Sequence, residues 1–317
     1  MAAISALEND TFNPKTAVRC TGSIELYGEK FHCWKKKGHG YMDMRNGIKQ
    51  SCDIYFYEVA RKLGIDRLSE TAKKFGLGKP VLKGLIEERS GVVPNTSWKK
   101  KNIGKNWYLG ETLHAGIGQG YWQTSPLQLC LMTAQIANGG YEIKPRIILD
   151  KEVKNKFTDL NQFIEDKKIL SDDSVTLSDF IGKFKYKSLF KNSENIKFVQ
   201  DALFAATNEP GGTSYGSRLT KEGFIFAGKT GTSQVKRFTE KQRELEVKNE
   251  DLPYQERDHA LFVAFAPYKD PRYSISVLVE HGGSGSRSAA PIAKKVIKKV
   301  LEKHPLRDSK REQGESV

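Results

Sequence analysis

Apolar residues recur at helical spacing through the first third of this chain and at strand spacing near its end. Met1, Ile4 and Leu7 share one face of a predicted helix over residues 1–8, which starts apolar and without a Ser, Thr, Asp or Asn cap. Residues 17–42 are rich in Gly, Cys, Lys and aromatics and predict loop with short strands. From Asp43 the pattern turns helical, with Ile54, Tyr57, Ala60 and Leu63 on one face and Gly64 as the stop. Asp66 is expected to cap a further helix that runs to Phe75 and closes at Gly76.

Residues 77–123 read as loop, rich in Gly. Pro126 to Ala137 predicts a buried helix, with Pro in its first turn and Asn138-Gly139-Gly140 at its end. A polar stretch over 150–195 is expected to be a surface insertion. An amphipathic helix follows over 196–207, stopped by Pro210-Gly211-Gly212. Strands are predicted at Phe224 to Lys229, His259 to Ala266 and Tyr273 to Glu280, the last two joined as an antiparallel hairpin across 267–272. Residues 237–257 are highly charged and predict an exposed loop. The closing helix spans Pro291 to about Lys303, with Ile292, Val296, Val300 and Leu301 expected inside. Helices, then an antiparallel sheet, then a helix make one α/β (α+β) unit over 1–304, with a charged, disordered tail at 305–317.

The 317 residues are 38% hydrophobic, enough to bury a core. Lys and Arg number 52 against 38 Asp and Glu, a net charge of +14, which favours anionic partners. Nucleic acid is one such class, but no helix-turn-helix, RRM or other nucleic-acid motif accompanies the charge. No stretch of about 18 apolar residues and no signal-peptide pattern occurs in the sequence.

Two short motifs carry chemistry. Lys229-Thr230-Gly231-Thr232 follows an apolar run, so an ammonium and a hydroxyl stand at a strand edge. Gly231 permits close approach, and the Thr232 amide is placed to donate to an oxyanion. Ser51-Cys52-Asp53 opens a helix, where hydroxyl and carboxylate either cap it or shuttle protons and orient a substrate amide. Either motif alone arises by chance. Together, in this order, they are two of the three elements of the β-lactamase and penicillin-binding protein set.

Further text agrees: Ile54-Tyr55-Phe56-Tyr57, Gly64-Ile65-Asp66-Arg67-Leu68, Glu88-Arg89-Ser90-Gly91, Gly116-Ile117-Gly118-Gln119-Gly120-Tyr121-Trp122 and Ser125-Pro126-Leu127-Gln128. The chain resembles the transpeptidase domain of class B penicillin-binding proteins, above all the elongation type whose second motif carries Asp. The resemblance runs from Met1 to about Lys303 and is weakest over 150–195.

That resemblance implies the penicillin-recognising serine transpeptidase/β-lactamase-like fold: an antiparallel sheet of about five strands, flanking helices and a helical lobe. It implies a peptidoglycan D,D-transpeptidase that cross-links stem peptides ending in D-Ala-D-Ala through a serine acyl-enzyme and is acylated by β-lactam antibiotics. Lys229 and Thr230 would hold the terminal carboxylate, Ser51 would relay protons, Asp53 would orient its neighbours and Thr232 would supply half of the oxyanion hole, beside Gly231. The family's full-length members sit at the periplasmic face of the inner membrane and partner a membrane-embedded glycosyltransferase.

The nucleophile is expected in a Ser-x-x-Lys just ahead of Met1, so the chain is expected to begin after it and to be inactive alone. Ser97 to Lys100, Ser188 to Lys191 and Ser233 to Lys236 fit the pattern, but none opens an apolar helix before Ser51. A non-catalytic module that binds peptidoglycan or a partner is the competing reading, and a β-lactamase a further one.

Cys20, Cys33, His39 and Cys52 form a Cys3His set, a tetrahedral zinc combination. Members of the resembled family carry zinc at the matching place. A Cys20–Cys33 disulfide and simple buried thiols are the alternatives. Zinc there would be structural, with no cofactor required for catalysis. His114, His259 and His281 read as structural.

Overall fold

The computed structural model describes residues 1–82, 87–146, 187–236, 242 and 247–304. Most of the polar stretch, much of the charged loop and the tail after 304 lie outside the described residues. Helix α1 (Ala2–Glu8) buries Ala2, Ala3, Ile4, Ser5 and Ala6. The buried Ser5 is satisfied: its hydroxyl donates to the Arg67 carbonyl at 3.1 Å and accepts from Thr71 at 2.8 Å.

The Gly- and Cys-rich segment makes two small antiparallel ribbons. One pairs β1 (Val18–Cys20) with β4 (Gly40–Met42), and the other pairs β2 (Ser23–Leu26) with β3 (Glu29–His32). Helix α2 (Met44–Lys49) starts at Asp43, whose carboxylate accepts from the Asn46 amide at 2.7 Å. Helix α3 (Asp53–Leu63) buries Ile54, Tyr57, Ala60 and Leu63 as the periodicity predicted and ends at Gly64, φ +79°.

Helix α4 (Ile65–Lys74) differs at its start. Its N-cap is Gly64, and Asp66 sits inside the first turn. The Asp66 carboxylate instead accepts from the amide and hydroxyl of Thr96, 30 positions away.

Residues 77–123 hold two helices where loop was predicted: α5 (Thr96–Ile103) and α6 (Leu109–Gly116). Helix α6 buries Thr112, Leu113 and Ala115, whereas α5 shows no apolar stripe. The buried residue of α5 is Lys99, paired with Glu111 of α6 and lying over the Tyr108 ring at 4.7 Å. Helix α7 (Pro126–Ala137) is capped by Ser125, and α8 (Ser193–Asn208) buries Ile196, Val199, Ala202 and Leu203.

The main sheet has the order β5-β6-β7, all antiparallel: β5 (Ala227–Ser233), β6 (His259–Ala266) and β7 (Tyr273–Val279). Among the described residues it has three strands, not five. Phe224 to Phe226 precede β5 rather than belonging to it.

Along β6 the two faces alternate. Ala260, Phe262, Ala264 and Ala266 pack with Phe226 under α9 (Ala290–Lys303), while Phe265 joins the core shared with α8. Each fully buried Phe contributes roughly 1.5–3 kcal/mol by leaving water.

The inner face of α9 is Ala290, Ala293, Ile297 and Leu301. Ile292 and Val296 point outward, at 44% and 43% exposure, and Val300 is half-buried. Small alanines let the helix lie close on the sheet, so they set its phase against the bulkier residues.

Candidate active site

Lys229 and Thr230 lie inside β5, so the Lys-Thr-Gly is part of the strand and not an extension beyond it. β5 is an edge strand. The Thr232 carbonyl accepts from Gln119 Nε2 at 2.7 Å, off the sheet. A residue's N–H and C=O point the same way in an antiparallel strand, so the Thr232 N–H faces the open edge too. Gly231 sits between, opposite Leu261.

Ser51 occupies the turn between α2 and α3. It does not open the helix: Cys52 is the N-cap, Asp53 is the first helical residue, and Ser51 takes a left-handed φ of +55°. Three residues form the turn because the Cys52 amide bonds back to the Gly47 carbonyl at 2.9 Å. The turn presents the Ser51 hydroxyl to β5. Lys229 Nζ donates to Ser51 Oγ at 2.8 Å and to the Thr230 carbonyl at 3.1 Å. Thr230 Oγ1 donates to Thr213 Oγ1 at 3.0 Å.

Asp53 accepts from the Trp34 amide at 2.8 Å. Burial, then the charge of Cys33, pushes its carboxyl up to about 7, against the pull of the Trp34 N–H and of Lys229. Burial lowers Lys229 to about 8, with Asp53 opposing the shift.

Behind Asp53 the structure brings all four predicted ligands together. The donor atoms of Cys20, Cys33, His39 and Cys52 lie within 4.8 Å of one another. His39 Nδ1 is 3.6 Å from Cys20 Sγ and 3.4 Å from Cys33 Sγ. A tetrahedral zinc with Zn–S near 2.3 Å and Zn–N near 2.05 Å sets that edge at about 3.6 Å, so the donors fit such an ion. The four cysteines are free thiols, and Cys20 and Cys33 are not joined. The hydrogen bond between Cys33 and Cys52 pushes Cys33 down and, with burial, pushes Cys52 up.

Three participants were not singled out from sequence. Trp34 and Thr213 lack a motif, although Trp34 directly follows a ligand cysteine. Gln119 lay within a quoted motif but carried no role. The other Ser-x-x-Lys matches stand elsewhere. Ser97 and Lys100 are exposed on α5, so they are helical rather than in a loop. Ser188 bridges to Tyr141, and Ser233 ends β5 with Lys236 paired to Glu256. His114 packs at a tilt against Phe31, and His259 accepts from the His281 amide at 2.9 Å.

A Lys-Thr-Gly edge strand hydrogen-bonded to the serine of a Ser-x-Asp turn, with helices on both sides of the sheet, defines the penicillin-recognising class of α/β folds. Within that class the chain belongs to the penicillin-binding protein transpeptidase domain family, whose model matches residues 1–298.

Relatives agree. The peptidoglycan D,D-transpeptidase MrdA of Salmonella typhimurium is 34% identical over 297 residues, covering 93% of this chain and 44% of the relative. The chain therefore spans less than half of that protein's length. Pseudomonas aeruginosa PBP2, solved with WCK 5153, superposes with a TM-score of 0.73 at 31% identity, covering 95% of this chain and 59% of that one. Helicobacter pylori PBP2, solved in complex with MreC, gives 0.76 at 28% identity, covering 96% and 48%. Among the described residues no helix is long and apolar enough to cross a membrane.

Proposed function

We propose that this chain is the transpeptidase domain of a PBP2-type peptidoglycan D,D-transpeptidase and carries two of the three motifs of its active site. The observation that carries the reading is the 2.8 Å bond between Lys229 and Ser51. It joins the two motifs across 178 positions into one polar centre at an open strand edge.

In this reading Lys229 and Thr230 hold the terminal carboxylate of a D-Ala-D-Ala stem peptide. The outward Thr232 N–H donates to the oxygen of the scissile carbonyl, and Gly231 leaves room for the peptide backbone. A serine of the family's Ser-x-x-Lys motif attacks that carbonyl, its proton passing to the motif's lysine. The C–N bond breaks, and Ser51 delivers a proton to the departing D-Ala amine. An amine of a neighbouring strand then displaces the serine and forms the cross-link. β-Lactams acylate the same serine. Asp53, fixed by the Trp34 amide, orients Ser51. The periplasmic face of the inner membrane as location and a membrane-embedded glycosyltransferase as partner follow from the same reading.

Cys20, Cys33, His39 and Cys52 hold a structural Zn2+, which would supply no catalytic step and would tether the Ser-x-Asp turn to the β1–β4 segment.

Binding of a diacetyl-Lys-D-Ala-D-Ala peptide tests the reading, by calorimetry on this chain and on Lys229→Ala. The expected result is weak binding that the variant loses. Equal affinity in both would sink the carboxylate role. A fluorescent penicillin is expected to leave Ser97, Ser188 and Ser233 unlabelled.

A further inference from the structure

Trp34 is 60% exposed, yet it makes three hydrogen bonds to the α2–α3 turn and the first residue of α3. Its amide donates to Asp53 Oδ2 at 2.8 Å. Its indole Nε1 donates to the Gln50 carbonyl at 3.2 Å and the Ser51 carbonyl at 2.8 Å. Its ring stands edge-on to His39, with centroids 5.3 Å apart. Trp34 also follows Cys33 directly, so both its backbone and its ring are anchored in the Cys/His cluster.

The turn it grips is the unusual part of the site. Ser51 holds φ +55°, a region that L side chains disfavour and that surrounding structure must enforce. The carbonyls of Gln50 and Ser51 fall between α2 and α3, where helix bonding does not reach them. The indole N–H supplies both with a donor. Losing it would free the Ser51 peptide unit to rotate, and the Ser51 hydroxyl would leave Lys229.

We propose that Trp34 is a positioning residue that couples the Cys20/Cys33/His39/Cys52 cluster to Ser51, fixing its left-handed conformation against Lys229. An ordered cluster places the indole, the indole places the Ser51 carbonyl, and the carbonyl fixes the hydroxyl. The link from Ser51 to substrate rests on the function proposed above; the link from Trp34 to Ser51 does not.

The test uses Trp34→Phe in the full chain, loaded with zinc. Phenylalanine keeps an aromatic ring on this side chain and the backbone N–H to Asp53, and removes the indole N–H together with the five-membered ring that carries it. The expected result is unchanged zinc content and melting temperature, with the Ser51 Cα and Cβ NMR shifts moving away from left-handed values. Affinity for the diacetyl-Lys-D-Ala-D-Ala peptide falls about tenfold, the worth of one such hydrogen bond. Ser51 shifts identical to those of the parent overturn the proposal. So does a Trp34→Phe chain whose zinc content and melting temperature fall together with the Ser51 signal, because that marks a purely structural residue.

If Trp34→Phe does not fold, the parent chain decides. An exposed indole N–H bonded as described exchanges slowly with solvent, and fast exchange overturns the proposal. Moved Ser51 shifts with no peptide binding in either chain uphold the positioning role and sink the substrate reading. Unmoved shifts with equal peptide binding do the reverse.

Discussion

The Lys229 ammonium donates to the Ser51 hydroxyl at 2.8 Å, although 178 residues separate them. β5 brings one partner and the α2–α3 turn the other, so the bond exists only when the helical part docks on the sheet. Burial lowers Lys229 to about 8. A carboxylate ligand needs the charged ammonium, so peptide affinity should fall as pH rises through about 8. A binding constant that stays flat between pH 7 and 9.5 would remove Lys229 from the carboxylate site. The stability effect has the opposite sign. Between about 8 and 10.5 the unfolded chain keeps a proton that the folded lysine has lost, so this group makes the protein more stable as pH rises across that window.

The thiol cluster makes a second prediction. Removing zinc leaves the clustered donors of Cys20, Cys33, His39 and Cys52 without the ion that would hold them together. Metal analysis should find about one zinc per chain, and Cys33→Ser should abolish it. The melting temperature of that variant should drop by at least about 5 °C, since binding energy at such sites is folding energy. Less than about a tenth of an equivalent of zinc in the parent chain would refute the metal reading.

The motif residues were legible in sequence, because Lys-Thr-Gly and Ser-x-Asp are local strings. So were the long amphipathic elements, α3 and α8, and the β6–β7 hairpin. What was hidden depends on tertiary partners. Helix α5 has no apolar period because the residue it buries is Lys99, made tolerable by Glu111 and the Tyr108 ring. Asp66 looks like a cap in sequence, and only the fold reveals Thr96 beside it. The phase of α9 is set by Ala290 and Ala293 against the sheet, which a reading weighted by side-chain size misses. Ser51's left-handed backbone has no sequence signal, since serine is not a residue that ordinarily marks it.

A third prediction concerns the far side of the site. Arg45 bonds Asp201 at 2.6 Å and Glu209 at 2.6 Å, and Lys49 bonds Glu209 at 2.9 Å. This network ties α2 to α8 just before the Gly211-Gly212-Thr213 loop, whose Thr213 meets Thr230. The bonds from Arg45 and Lys49 hold Glu209 at about 2, below its ordinary 4.5. Its stabilising effect is therefore complete above about 4.5 and lost as pH falls toward 2. Parent and Glu209→Gln melting temperatures should differ at pH 7 and converge near pH 2. Arg45→Ala should cost about 1–2 kcal/mol by leaving two carboxylates without their fork. A pH-independent gap between parent and Glu209→Gln would show that the network contributes no charge-dependent stability.

A last prediction follows from how the segment after β7 meets the motif strand. Gly285 opens the π-type turn Gly285–Ala289 that leads into α9. It lies so close to the β5–β6 pair that an added Cβ would overlap the Leu261 carbonyl and stand 2.6 Å from the Gly231 carbonyl oxygen. These are backbone atoms of two paired strands, so neither can give way without breaking the Gly231–Leu261 register. In the proposed reading Gly231 also leaves room for a substrate backbone. Gly285→Ala should therefore destabilise the chain by about 1–3 kcal/mol, as overpacked sites do, and weaken peptide binding by distorting β5. Gly216, with open space where its Cβ would stand, is the matched control, and Gly216→Ala should change neither. Equal melting temperatures and affinities for the two variants would mean that the turn yields to the added methyl, and that β5 does not depend on this contact for its shape.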